Sequence, residues 1–464
     1  MARQGRTLRW MLAAATSIGV LWAYSAPALA QEGLTLWFTK GFYKSDDDAV
    51  LAVVQKFEKA TGIKAGVSFY TTEDCVTKSI AAVDAGTTPD VAYCMSGDFR
   101  VTGKWAFEGK LADVSDVVEK VKDDLLPEAA AATFLKNGKT GSKAYYAIPM
   151  AQNTNHITYW KDMLEDAGFT EADIPENWEE YWDFWCGKVQ AGLRQKGKRV
   201  YGVGHPLGIA ASDTFQSIIT WVNAYDAKVV NEDGAIVLDR PQNRAAMAEA
   251  LKSYARIYER GCTPPSSVNW LDPDNNVNFH NKTTVLTHNS TISIAAKWLD
   301  DSNNWSLTPE QRATAKQNYE SLVRTTGWPK KPDGKPLPNL ASVKAAVIFA
   351  DAKNQQRAKE FMIFWLKDEN YRPSIEAALG RWYPSTKSAA ASPFWTDGSD
   401  PHRLMVHKQF SEGTVPFQYV YNYRFTTVNV ENVWAKAVFR IIQDKVSAEQ
   451  AVEEMTKRMK EIAG

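Results

Sequence analysis

The chain has 464 residues, 54 basic and 54 acidic side chains, and 44% hydrophobic residues. Balanced charge excludes a dominant electrostatic surface for nucleic acid or anionic membrane. The length is too great for one ordinary core and predicts about two domains.

The first thirty residues carry three signals in order: Arg3, Arg6 and Arg9, an apolar run from Trp10 to Tyr24, and Ala28-Leu29-Ala30 before Gln31. Together they predict a secretory signal peptide cleaved after Ala30. The arginines are not adjacent, which argues against the twin-arginine route. No Cys lies near the cleavage site, which argues against lipid anchoring. Setting those three arginines aside leaves 51 basic against 54 acidic residues, a net charge near −3.

From Leu34 onward, strand and helix signals alternate. Leu34 to Phe38 reads as a strand. Asp46 to Thr61 reads as a helix, with Val50, Val53, Val54 and Phe57 at helical spacing and Gly62 as its stop. Lys64 to Tyr70 is a strand, Asp74 to Ala85 a helix closed by Gly86, and Asp90 to Cys94 a strand. This order predicts right-handed βαβ units and a mainly parallel sheet. A strand ends at Pro149, a polar crossover covers 151–155, and a second strand covers His156 to Tyr159. Helices follow at Lys161 to Ala167, Glu179 to Leu193, Asp213 to Ala224 and Asn243 to Arg260, with a short strand at Val200 to Val203. Thr325 to Asn339 reads as a surface loop. Val343 to Phe349 is a strand, and Asn354 to Leu366 and Ala448 to Ile462 are helices.

Cys75, Cys94, Cys186 and Cys262 are the four cysteines. Their spacing matches no zinc motif, and an even count in an exported chain permits two disulfides. Proximity favours Cys75–Cys94 and Cys186–Cys262; the other connectivities and buried free thiols stay open. Neither G-x-S-x-G, H-E-x-x-H nor a Walker A motif occurs. His280 and His288 lack ligand spacing, so no metal and no cofactor is expected.

The stretch from Lys143 to Trp182 carries Tyr146, Ile148, Pro149, Tyr159, Asp162, Ala167, Gly168, Pro175, Trp178 and Glu180 in one order. That order resembles the lobe-to-lobe passage of bacterial carbohydrate-type solute-binding proteins of ABC transporters, the maltose- and glycerol-phosphate-binding-like family. Phe57-Glu58 with Thr61-Gly62-Ile63-Lys64, and Ala85-Gly86-Thr87-Thr88-Pro89-Asp90-Val91, are similar to its opening motifs. Ile236 to Asp239 resembles its edge strand, Phe279 to Thr291 its return strand, Gly380 to Pro384 its G-x-x-P loop, and Ala451 with Met455 its closing helix. His280 to Ser290 departs from the pattern by lacking the usual glycines.

The resemblance implies an α/β two-lobed periplasmic-binding-protein fold, each lobe a mainly parallel sheet flanked by helices, with three interlobe crossings. Residues 31–150 with 292–350 would form lobe one, and 151–291 with 351–464 lobe two. It implies a periplasmic, non-enzymatic component of an ABC importer. Its partners would be a small solute (a sugar or polyol) and the inner-membrane permease subunits; a monomer without nucleic acid is expected. Two alternatives are a ferric-ion or anionic-solute binder using Tyr145-Tyr146 or Tyr421 with Tyr423, and a secreted glycoside hydrolase or lyase.

Seventeen Trp and eighteen Tyr supply many flat faces suited to a sugar ring. Where the family's cleft forms, the expected ligand contacts are Phe42, Tyr43, Asp98, Phe99, Trp221, Trp270, Arg381 and Trp382, with Tyr423 and Arg424 as lesser candidates. Asn153 and Asn155 in the crossing are either ligand contacts or hinge structure. Trp182 and Trp185, at helical spacing, are expected in a core, as is Trp160.

Overall fold

The computed structural model describes residues 33–464. The expected signal peptide, residues 1–30, lies outside them. Strands β1 (Leu34–Thr39), β2 (Ala65–Tyr70) and β3 (Val91–Tyr93) form a parallel sheet ordered β2-β1-β3. Helices Lys44–Thr61 and Thr72–Ala85 make the crossovers. The first buries Val53, Val54 and Phe57 against the sheet, which is the apolar face its spacing predicts. Gly62 and Gly86 take φ of 75° and 66° at the helix ends, a conformation that costs other residues a Cβ clash.

The chain continues through the hairpin β4 (Phe134–Lys136) and β5 (Lys143–Tyr145), then β6 (Ile148–Thr154) and β7 (His156–Trp160). Further on come β8 (Tyr201–Gly204), β9 (Thr284–Asn289), β10 (Val323–Thr326), β11 (Asn339–Ala346), β12 (Tyr383–Pro384) and β13 (Thr414–Pro416). They make two sheets, ordered β12-β6-β11-β13 and β10-β7-β9-β8. β6 and β7 are consecutive in sequence yet lie in different sheets, with Asn155 alone between them. The polar crossover expected at 151–155 is therefore mostly strand. Antiparallel β11 and β12 flank β6 through Thr154 and Gln152, so its backbone groups are paired even where its side chains are polar.

Two large cores organise the molecule. The first joins Leu36, Phe57, Val91, Ile348, Phe361 and Trp365. The second joins Ile157, Trp178, Trp221, Leu286, Trp434 and Met455. Some segments pack in a core other than the one expected for them. Ile294, Ala295, Tyr319 and Val323 pack in the second core, although 292–350 is expected with the first. Ala358, Phe361, Trp365 and Tyr371 pack in the first, although 351–464 is expected with the second. The reason is strand pairing: β10 adds to β7 and holds the preceding helices there, and β11 carries the chain back beside β6. A smaller, separate cluster gathers Ile292, Ala341, Trp395 and Phe410.

Smaller differences have local causes. Ile236 to Asp239 is not a strand; Val230 and Ile236 form an isolated bridge there. The expected return strand begins only at Thr284, because Phe279 is taken into helix Asp274–His280 and stacks on Trp160 at 5.1 Å. Trp160, Trp182 and Trp185 are buried in the second core, as their spacing predicts. The disulfides are Cys75–Cys94 and Cys186–Cys262, each within one core.

Candidate functional site

Between the cores lies a cavity of about 310 Å³. Its first wall comes from the segments that follow β1, β2 and β3 and from the Gly380 loop: Phe42 in a loop, Thr72 and Glu73 at the start of helix Thr72–Ala85, Phe99 in the helical turn Asp98–Thr102, and Arg381 and Trp382. Its second wall comes from the start of helix Ser212–Ala224 and the segment around β9: Ser212, Asp213, Gln216, Asp272, Asn276 and Asn289. Asn153 of β6 and Lys344 of β11 also line it. Segments at the ends of parallel strands carry the first wall because strand ends are where an α/β fold leaves side chains free of sheet packing.

Arg381 dominates the first wall. Its guanidinium sits 3.8 Å from the centroid of Phe42 and 4.5 Å from that of Trp382, and pairs with Asp46 at 3.8 Å. The planar cation fits between rings as an ammonium would not. Its Nε is buried without a hydrogen-bond partner. Burial pushes the Asp46 carboxyl up to about 6 against the opposing pull of Arg381. Gly380 precedes it with φ of 87°, and a Cβ there would meet Arg403 and Ile292.

Lys344 is buried and donates to both oxygens of Asp98 at 3.1 Å. Burial lowers the proton affinity of this ammonium, and Asp98 restores part of it. Phe99 meets Phe215 of the second core at 5.1 Å. Behind the second wall, His288 Nδ1 lies 3.0 Å from Ser217 Oγ and His288 Nε2 lies 3.0 Å from His205 Nδ1.

Of the expected contacts, Phe42, Phe99, Asn153, Arg381 and Trp382 line the cavity. The other five lie outside its lining, each for a packing reason. Tyr43 is buried and donates its hydroxyl to the Ser293 carbonyl at 2.9 Å. Asp98 stands behind the wall, held by Lys344 and Tyr419. Asn155 donates to Thr220 Oγ1 at 2.7 Å, and its carbonyl accepts from Trp328 and Gln409. Trp221 is fully buried among Trp178, Trp182 and Tyr254. Trp270 is buried and bonds Ser266 through its indole N–H. Tyr423 stacks on Phe107 at 4.2 Å, and Arg424 donates to the Gly464 carbonyl, both away from the cavity. Asn153 combines two placements. It lines the cavity, and it donates to Ser290 O and accepts from Ser342 Oγ at 2.8 Å each, tying β6 to its neighbours.

Sequence reasoning missed Glu73, Asp213, Gln216, Asp272 and Asn276. A signal for two of them is present. Helix Ser212–Ala224 is buried on nearly every side, yet Asp213 and Gln216 are polar and one turn apart. Polar residues at helical spacing in a buried helix mark a face that meets something other than apolar core.

The family model of bacterial extracellular solute-binding proteins matches residues 52–403. The galactooligosaccharide-binding protein of Bacillus subtilis (strain 168) is 23% identical over 386 residues, covering 80% of each chain. An ABC transporter solute-binding protein from Thermotoga lettingae TMO, bound with alpha-D-tagatose, superposes with a TM-score of 0.73 at 16% identity, covering 93% of this chain and all of the other. A sugar transporter protein from Arthrobacter chlorophenolicus A6 with bound laminaribiose gives 0.72 at 16% identity over the same shares. These likenesses establish the two-lobed periplasmic-binding-protein fold, and the extent of the family match goes further: this chain belongs to the bacterial extracellular solute-binding protein family.

Proposed function

We propose that this protein captures a carbohydrate or polyol between its two lobes, outside the cytoplasm, and delivers it to the membrane permease of an ABC importer. The carrying observation is the cavity itself. Flat faces of Phe42, Phe99 and Trp382 stand on one side, and hydrogen-bonding groups of Asp213, Gln216 and Asn276 on the other. A sugar ring offers C–H faces to the first and hydroxyls to the second. Its volume of about 310 Å³ is at the small end of ligand pockets.

The core memberships support a division into 33–153 with 341–410 and 155–340 with 417–464. Ligand bound to both walls favours the closed arrangement over an open one, and Asn155 and its neighbours would absorb the change. No bond of the solute is broken in this reading. The relatives named above bind sugars by their descriptions, which agrees with the assignment. The iron-binding alternative is not favoured: Tyr145 and Tyr146 pack in the first core, and Tyr421 lines a different surface pocket.

Thermal unfolding against a panel of mono- and oligosaccharides, polyols and glycerol phosphates tests this. A ligand at about a hundred times its Kd stabilises the folded state by about 2.7 kcal/mol. At least one sugar or polyol is expected to raise the melting temperature, and no oligosaccharide is expected to be cleaved. A shift with ferric ion or a peptide but with no sugar or polyol overturns the assignment.

A further inference from the structure

The charges of the cavity are unevenly matched. Each cation near it already has a counterion: Lys344 has Asp98, Arg381 has Asp46, and Arg100 has Glu73. Asp213 and Asp272, on the second wall, share none of these cations. Asp272 accepts from Asp213 N at 3.0 Å and Ser212 Oγ at 2.6 Å, capping helix Ser212–Ala224. Asp213 is buried, and its carboxylate accepts from Asn275 Nδ2 at 3.3 Å.

One turn along the same helix, Gln216 is 6% exposed and lines the same cavity. Its Oε1 is buried with no hydrogen-bond partner. Buried acceptors without donors are costly, and a binding site recovers that cost when its ligand supplies them. Two carboxyls and an amide oxygen thus converge on one end of the cavity, and the nearby cations are already paired elsewhere.

We propose that the Asp213 end of the cleft is a subsite for a cationic nitrogen, so that the solute is an amino sugar or amino polyol bearing an ammonium group. This rests on the carbohydrate reading above and narrows it. An ammonium has three donors and no acceptor, which suits Asp213, Asp272 and the Gln216 Oε1 together. A hydroxyl at that place offers one donor to three acceptors. Burial, then the neighbouring Asp272 charge, pushes the Asp213 carboxyl well above the ordinary carboxylate range. Asp272 is raised likewise by burial, with Glu73 across the cleft adding to it. Tyr254, the other ionisable neighbour, is a buried neutral phenol.

Isothermal titration of the purified protein with glucosamine and galactosamine, against glucose, galactose and N-acetylglucosamine, tests the subsite. Amino sugars are expected to bind about tenfold or more tighter than their neutral counterparts, the scale of one charge-assisted hydrogen bond. In Asp213→Asn the ratio of amino-sugar to neutral-sugar affinity is expected to fall toward unity. Neutral sugars binding as tightly as amino sugars to the unsubstituted protein overturns the subsite and leaves the carbohydrate reading standing. Binding of no sugar or polyol at all overturns both.

Discussion

The Tyr419 hydroxyl donates to the Asp98 carboxylate at 2.8 Å, although Tyr419 packs in the second core and Asp98 lies on the loop that follows β3 of the first. The same carboxylate holds Lys344 of β11. A buried ion pair and a phenol thus join both lobes just behind the cavity wall.

Removing that phenol should loosen the joint without exposing a charge. Tyr419→Phe leaves Asp98 paired with Lys344 and is expected to cost about 1 kcal/mol, the net worth of a hydrogen bond. Asp98→Asn leaves the Lys344 ammonium buried without a counterion and should cost more, about 3–5 kcal/mol. Urea unfolding of the two variants checks the order. Equal losses would mean that the ion pair is not what the carboxylate is there to complete.

Arg381 is expected to be intolerant of lysine. The substitution keeps the charge but loses the planar fork between Phe42 and Trp382. Solute affinity should fall about tenfold, on the scale of a cation–π contact of 1–2 kcal/mol. Titration calorimetry of Arg381→Lys measures it. An unchanged Kd would remove Arg381 from the ligand contacts.

Acid should destabilise the fold through its histidines. Burial holds His288 down to about 3, and His156 and His280 to about 4, so these imidazoles are neutral in the folded chain. Unfolded, they titrate near 6.5. Between that value and the folded one the unfolded state binds more protons, so their stabilisation is complete above about pH 6.5 and is lost as pH falls. Asp46, pushed up to about 6, acts in the opposite sense between its unfolded value of 3.8 and 6 and offsets part of the loss. Urea midpoints are expected to fall from pH 7 to pH 5, the unfolding free energy dropping by up to about 1.4 kcal/mol per pH unit for each histidine. His156→Gln should flatten the slope. A midpoint that rises on acidification would refute this account.

The two disulfides close loops of different length, with separations of 19 and 76 residues. Chain entropy makes the longer loop the more stabilising, about 4 against about 3 kcal/mol. Cys186→Ser with Cys262→Ser should therefore lower stability more than Cys75→Ser with Cys94→Ser, as measured by chemical unfolding.

Half of the expected ligand contacts reach the cavity. Phe42, Phe99, Arg381 and Trp382 were legible because they sit at strand and helix ends, where a side chain is not consumed by its own element. Trp221 and Trp270 were misleading for the opposite reason. An aromatic residue in a polar-flanked stretch offers the same ring to a ligand or to a core, and here Trp178, Trp182 and Tyr254 take Trp221. Asp213 and Gln216 passed unnoticed because a helix start accepts an acid for reasons of its own dipole.

The sequence by itself determined the βαβ order and the helix stops at Gly62 and Gly86, features that depend on residues near one another in the chain; the expectation of a two-lobed binding protein came through its resemblance to a known family. Tertiary structure alone decided which core each late segment joins, because β10 and β11 choose partners more than a hundred residues away. It also decided which polar groups face each other across the cleft. Asp213 and Asp272 lie far apart in sequence and meet where Asp272 accepts from Ser212 and Asp213 at the helix start, and Glu73 faces them from the other wall.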